Sequence, residues 1–122
     1  MRKVLVLAVL AVAAPASAAG GGTSLHIAVW PQGAEGAPHT WTLACAPARG
    51  TLPHRGRACR RLLAAHAPFA PTPEGTACTM IYGGPQMARV TGTFRGRKVW
   101  TTFHRRNGCE TARWNKVAYL LR

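Results

Sequence analysis

The sequence has very little negative charge and almost no serine. Its 122 residues contain no aspartate, three glutamates (Glu35, Glu74 and Glu110) and, beyond residue 18, a single serine, Ser24. A hydrolytic triad needs a nucleophile, a base and an orienting carboxylate, and a glycosidase needs two facing carboxylates. Because neither set is available, we expect a binding protein and not an enzyme.

The cysteines and histidines also lack the spacing that is typical of a metal site. No two cysteines form a C-x-x-C pair, and no histidine lies at metal-ligand spacing from a carboxylate. The cysteines are Cys45, Cys59, Cys78 and Cys109, and the histidines are His26, His39, His54, His66 and His104. We therefore expect no metal and no other cofactor.

The first 18 residues have the pattern of a secretory signal peptide. A basic pair precedes an apolar run over residues 4–14, and Ala16-Ser17-Ala18 has the small residues of a cleavage site. The run is too short to span a bilayer comfortably, so a retained membrane anchor is the weaker alternative. We predict cleavage after Ala18, or after Ala19, and a secreted, extracellular domain over residues 19–122.

The four cysteines lie in the exported domain, where two disulfides are expected. Three pairings are possible, and the one with least threading joins sequence neighbours, Cys45 to Cys59 and Cys78 to Cys109. In the chain-entropy model each bridge stabilises the fold by about 3–4 kcal/mol. A domain of about 104 residues benefits, because it buries only about two-thirds of its surface.

The formal net charge is +13, of which Arg2 and Lys3 in the leader supply two. Such a field attracts nucleic acid, anionic lipid, cell-wall polymer or an acidic protein. An anionic surface or polymer is therefore a candidate partner. The alternative is a genome that favours arginine, which produces the same bias without any binding role.

The apolar periodicity predicts an α+β domain with an antiparallel sheet. Alternating patterns predict five strands, over residues 24–30, 40–45, 87–94, 98–104 and 117–121. Between the second and third strands, Ala58, Cys59, Leu62, Leu63 and His66 lie at helical spacing. They predict a short amphipathic helix that ends before Pro68. A helical turn is expected over residues 110–115.

Residues 76–82, called the loop segment below, lie between the helix and the third predicted strand. Prolines and glycines on both sides favour turns, so Cys78-Thr79-Met80-Ile81-Tyr82 is separated from regular elements. This pattern favours an exposed, extended loop, tied down at Cys78, that presents Met80 to a protease. The alternative is a short buried strand, because a short apolar run does not distinguish the two.

Four groups of residues, in order along the chain, resemble the Streptomyces subtilisin inhibitor family. They are Cys45-Ala46-Pro47 with Gly50, Pro53, Ala58-Cys59 and Leu62; Cys78-Thr79-Met80-Ile81-Tyr82; Thr93-Phe94-Arg95-Gly96-Arg97-Lys98-Val99; and Asn107-Gly108-Cys109-Glu110. Two residues depart from the family pattern. Leu52 stands where the family usually has histidine, and Arg60 stands where a small or acidic residue is usual.

The resemblance implies a serine protease inhibitor of the standard, substrate-like mechanism. The expected partner is a subtilisin-like enzyme, with chymotrypsin-like enzymes as further targets. It also implies a five-stranded antiparallel sheet with two short helices on one face, two disulfides and a homodimer. The family's disulfide pairing agrees with the pairing chosen above.

Carried over by position, Met80 is P1 and Ile81 is P1′, so the reactive-site bond joins them. The segment residues expected to contact the protease are Ala77, Cys78, Thr79 and Tyr82, and Asn107 is expected to support the loop through its side chain. An unbranched apolar P1 residue suits the S1 pockets of subtilisin-like and chymotrypsin-like enzymes, and it lacks the charge that trypsin requires.

The main alternative is a cationic secreted module that binds a polyanion and does not inhibit proteases. It is favoured by the basic surface and by Thr79 at P2, where a proline would be more rigid. Steep salt dependence of binding to a polyanion would be its signature.

Overall fold

The computed structural model describes residues 8–9 and 21–122. The predicted signal peptide, residues 1–18, lies outside these residues except at positions 8 and 9. In the part of the chain that is described, no helix is both long enough and apolar enough to span a bilayer.

A five-stranded antiparallel sheet organises the domain, in the order β3-β2-β1-β4-β5. The central strand β1, Thr23–Trp30, pairs with β2, His39–Cys45, on one side and with β4, Gly84–Phe94, on the other. Strand β5, Arg97–Arg105, pairs with β4, and the two-residue β3, Arg49–Gly50, pairs with β2.

One face of the sheet forms the hydrophobic core. Successive side chains of a strand point to opposite faces, and Leu25, Ile27 and Val29 of β1 are all buried. Val90 of β4 and Phe103 of β5 are fully buried in the same cluster. A one-residue slip would move this set into water, so the alternation fixes the register.

Two helices supply the second layer. Helix α1, Arg55–Ala64, buries Ala58, Cys59 and Leu62 in the core cluster, as the helical spacing predicted. It begins three residues earlier than that pattern suggested and ends before His66, which is exposed. Helix α2, Gly108–Lys116, extends the expected helical turn, and its Trp114 packs against the core.

The prediction of a strand over residues 117–121 is wrong. A 3-10 helix, Ala118–Leu120, occupies this stretch. Val117 and Leu120 are both fully buried, and a spacing of three puts them on one side of a helical turn but on opposite faces of a strand. The fifth strand is instead β3, whose two residues are too few to show a periodicity.

Both predicted disulfides are present. Cys45–Cys59 joins β2 to α1, and Cys78–Cys109 joins the loop segment to α2. The fold class, a five-stranded antiparallel sheet with two short helices and two disulfides, is confirmed.

Two aromatic residues of β5 provide a test of the core assignment. Phe103 is fully buried, whereas Trp100 is 67% exposed on the opposite face. We expect Phe103→Ala to lower the free energy of unfolding by about 3–5 kcal/mol and Trp100→Ala to lower it by less than about 1 kcal/mol. Urea unfolding under oxidising conditions measures both; equal losses would contradict the assignment of faces.

Candidate functional site

The loop segment exposes three large apolar side chains in succession. Met80 is 86% exposed, Ile81 69% and Tyr82 63%, and residues 76–83 have no regular secondary structure. The segment is therefore an exposed loop, and the alternative of a short buried strand does not hold. Adjacent exposed apolar side chains of this kind are typical of an interaction site.

The segment is tied to α2 on the N-terminal side of Met80. Cys78 is bonded to Cys109, and the amide of Gly108 donates a hydrogen bond to the carbonyl oxygen of Thr79, at 2.9 Å. A Cβ atom at Gly108 would overlap the Thr79 hydroxyl. A larger residue at 108 would therefore force the Thr79 side chain out of its present position.

A second tie lies on the C-terminal side of Ile81. The amide of Gly83 donates to the carbonyl oxygen of Arg105, at 2.6 Å. A Cβ atom at Gly83 would lie 2.7 Å from the Thr111 hydroxyl and 3.0 Å from the Arg105 carbonyl oxygen. The backbone is thus held on both sides of the Met80–Ile81 bond, while the side chains between the two ties point into solvent.

Asn107 orders the turn that carries Gly108. Its side-chain oxygen accepts a hydrogen bond from the Glu110 amide, at 2.9 Å, and caps α2. The contact with the segment is made by the neighbouring Gly108 amide. The sequence contained a signal for this arrangement, because asparagine followed three residues later by glutamate is typical of a helix N-terminus.

Glu110 links α2 to the chain that leads into the segment. Its side chain accepts hydrogen bonds from Thr72, at 3.1 Å, and from Arg113, at 2.8 Å, and His104 Nε2 lies 3.7 Å away. Burial alone would raise the pKa of Glu110. The hydrogen bonds from Arg113 and Thr72, with the charges of Arg113 and protonated His104, outweigh burial and hold that pKa below its usual range.

The carried-over contact residues lie on one accessible stretch of chain. Ala77, Thr79 and Tyr82 are exposed like Met80, and Cys78 is half-buried. The supporting contacts of Gly83, Arg105 and Thr72 were not predicted, because they join residues far apart in sequence and leave no local pattern.

The lowered pKa of Glu110 predicts a pH dependence of stability. An ionised Glu110 stabilises the fold above the ordinary glutamate pKa of about 4.3, and this contribution is lost as pH falls through the lower pKa of the folded state. Glu110→Gln should therefore lower the free energy of unfolding at pH 7 more than at pH 2.

Urea unfolding at the two pH values measures this difference. Glu74→Gln makes the same change at an exposed position and should leave the wild-type difference between the two pH values intact. The same loss for Glu110→Gln at both pH values would contradict the role given to its charge.

Comparison with known proteins identifies a family and a similar fold. A family model described as subtilisin inhibitor-like matches residues 22–107. The crystal structure of Streptomyces caespitosus sermetstatin in complex with Bacillus licheniformis subtilisin contains a similar fold, with a TM-score of 0.51 and 24% sequence identity over 80% of this chain and 97% of that chain. No curated protein sequence matches.

The structural likeness, at this level of identity, concerns the fold alone. The family model covers well over half of the chain, from β1 to the turn that carries Asn107. The chain therefore belongs to the subtilisin inhibitor-like family, and it is an inhibitor of serine proteases and not an enzyme.

Proposed function

We propose that the Met80–Ile81 bond is the reactive-site bond, which a subtilisin-like serine protease binds as it would bind a substrate. The observation that carries the proposal is the succession of exposed side chains at Met80, Ile81 and Tyr82 between two backbone ties. The structure similar to this chain is of an inhibitor in complex with a subtilisin, which supports the choice of target class.

The form of the loop segment suits an active-site cleft. An extended peptide can pair with the edge of a protease's sheet as an added strand. Burial of the Met80 side chain in the S1 pocket would supply about 1.5–3 kcal/mol. Because the disulfide and the two backbone hydrogen bonds already fix the segment, little ordering entropy is lost on binding.

The same ties explain why cleavage would be unproductive for the protease. After hydrolysis, the new carboxyl end at Met80 stays attached through the disulfide and the Gly108–Thr79 hydrogen bond. The new amino end at Ile81 stays near through the Gly83–Arg105 hydrogen bond. Holding two reacting ends together raises their effective concentration greatly, so resynthesis of the bond competes with release.

We further propose that the domain over residues 19–122 is secreted and forms a homodimer. Secretion rests on the signal-peptide pattern of residues 1–18 and on the two disulfides, which persist in oxidising compartments. The proposal of a dimer rests on the family resemblance. The sheet face that carries no helix, with Trp100 exposed, is the surface we assign to it.

Substitution of Met80 tests the reactive-site assignment. Met80→Asp should weaken inhibition of subtilisin by at least about 100-fold, because a carboxylate would be buried in an apolar pocket. Met80→Leu, which keeps an apolar side chain of similar volume, should inhibit nearly as well. Met80→Lys should shift inhibition toward trypsin, whose S1 pocket contains an aspartate.

Titration of each protease with each variant measures the inhibition constants. The assignment would be wrong if Met80→Asp inhibited subtilisin as strongly as the unchanged protein. Thermal unfolding of the variants serves as the control for folding, and we expect little change because the side chain is 86% exposed.

Removal of one disulfide tests the explanation for slow cleavage. The Cys78→Ala/Cys109→Ala double variant should become a substrate, so that inhibition of subtilisin disappears with time as the loop segment is cut. The matched control is Cys45→Ala/Cys59→Ala, which removes the bridge between β2 and α1. It should lose about 2–4 kcal/mol of stability but remain a lasting inhibitor at temperatures where it stays folded.

Gel analysis of the inhibitor after timed incubation with subtilisin separates the two outcomes. Equally lasting inhibition by both double variants would contradict the role of the Cys78–Cys109 bridge.

A further inference from the structure

A cavity of about 550 Å³ lies between the start of α1 and the C-terminal residues of the chain. Its polar lining consists of His54, Arg57, Arg61, Asn115, Tyr119 and Arg122. Three of these side chains are arginines, and no aspartate or glutamate lines the cavity.

Within the described residues, Arg95 and Arg113 are the arginines whose side chains have oxygen partners, and those of this cavity, like the rest, have none. Arg113 donates to Glu110, Ala70 and Thr102, and Arg95 donates to the Leu63 carbonyl. Within the described residues, Arg57 and Arg122 form no side-chain hydrogen bond and no ion pair. Their guanidinium groups are free to bind an anion.

The third arginine is held in place by an aromatic ring. The guanidinium carbon of Arg61 lies 4.6 Å from the centre of the Tyr119 ring, within the range of a cation–π contact. Burial raises the pKa of Tyr119, with the Arg61 charge opposing, so its hydroxyl stays protonated at neutral pH. That hydroxyl is buried and has no hydrogen-bond partner in the structure.

The first turn of α1 adds further positive potential. His54 precedes the helix without a side-chain cap, and the first turn contains no acidic residue. Its unpaired amides and the helix dipole favour negative charge near residues that already line the cavity. The arginines remain the main contribution, since each carries a full charge and can bind a phosphate through two hydrogen bonds.

We propose that this cavity binds a ligand with two or more phosphate groups. The volume is in the range of small-ligand pockets and is larger than one phosphate needs, and three arginines can neutralise more charge than one phosphate supplies. Such a ligand could be a free oligophosphate or part of a phosphodiester polymer, which share the same chemistry.

The cavity is separate from the loop segment. Cys109, which ties the segment, is at the start of α2, and Asn115, which lines the cavity, is near the end of the same helix. Six residues of helix correspond to about 9 Å along the axis. Because the cavity and the loop segment share no residue, the two activities can be tested independently.

Calorimetric titration of the intact domain tests the proposal, with inorganic triphosphate, a glycerol-phosphate oligomer and orthophosphate as probes. We expect triphosphate, the oligomer or both to bind at least about tenfold more tightly than orthophosphate. Tighter binding of triphosphate would indicate a free oligophosphate as the ligand, and tighter binding of the oligomer would indicate a phosphodiester polymer. Arg57→Gln and Arg122→Gln should each weaken that binding by about tenfold or more.

The matched control is Arg60→Gln, which removes the same charge from α1 at an exposed position outside the cavity. It should change affinity less than threefold and so separate a specific site from general attraction to a basic protein. A heparin fragment, a polyanion without phosphate, serves as a further probe. The proposal would be overturned by equal weakening in Arg60→Gln and Arg57→Gln, by no binding of triphosphate and of the glycerol-phosphate oligomer, or by tighter binding of the heparin fragment than of both. Inhibition of subtilisin should be unchanged in all three variants.

Discussion

The contact between the loop segment and the first turn of α2 is the constraint on which the proposed function depends. The Cys78–Cys109 bridge and the Gly108–Thr79 hydrogen bond hold one side of the Met80–Ile81 bond. Asn107 fixes the turn that places Gly108, because it caps the helix. Without this contact, the segment would be a flexible apolar loop, which a protease would cut and release.

The sheet and its hydrophobic core make that contact rigid. The turn before α2 follows β5, which pairs with β4 over nearly its whole length and contributes Phe103 to the core. The Gly83–Arg105 hydrogen bond attaches the other side of the segment to the end of that same strand. Both ties therefore connect to adjoining parts of one scaffold, so thermal motion of the scaffold does not separate the two ends.

Sequence patterns predicted the elements whose side chains repeat over several residues. The alternation in β1 was sufficient to predict that strand, and the apolar spacing of Ala58, Cys59 and Leu62 was sufficient to predict α1. The choice of sequence neighbours gave the observed disulfide pairing. The patterns failed where a short apolar run fits two structures, as at Val117 and Leu120, and where a strand has only the two residues of β3. The flanking turns favoured exposure of Met80 but left a short buried strand open, and its support by Gly83 and Arg105 depends on tertiary packing.

Sequencing of the inhibitor after long incubation with subtilisin tests the central claim most directly. If the Met80–Ile81 bond is the reactive site, the slowly formed product should have one new amino terminus, beginning Ile81-Tyr82-Gly83. Under denaturing conditions its two fragments should stay joined until the Cys78–Cys109 bridge is reduced. A first cut at any other bond, with the Met80–Ile81 bond intact, would contradict the account.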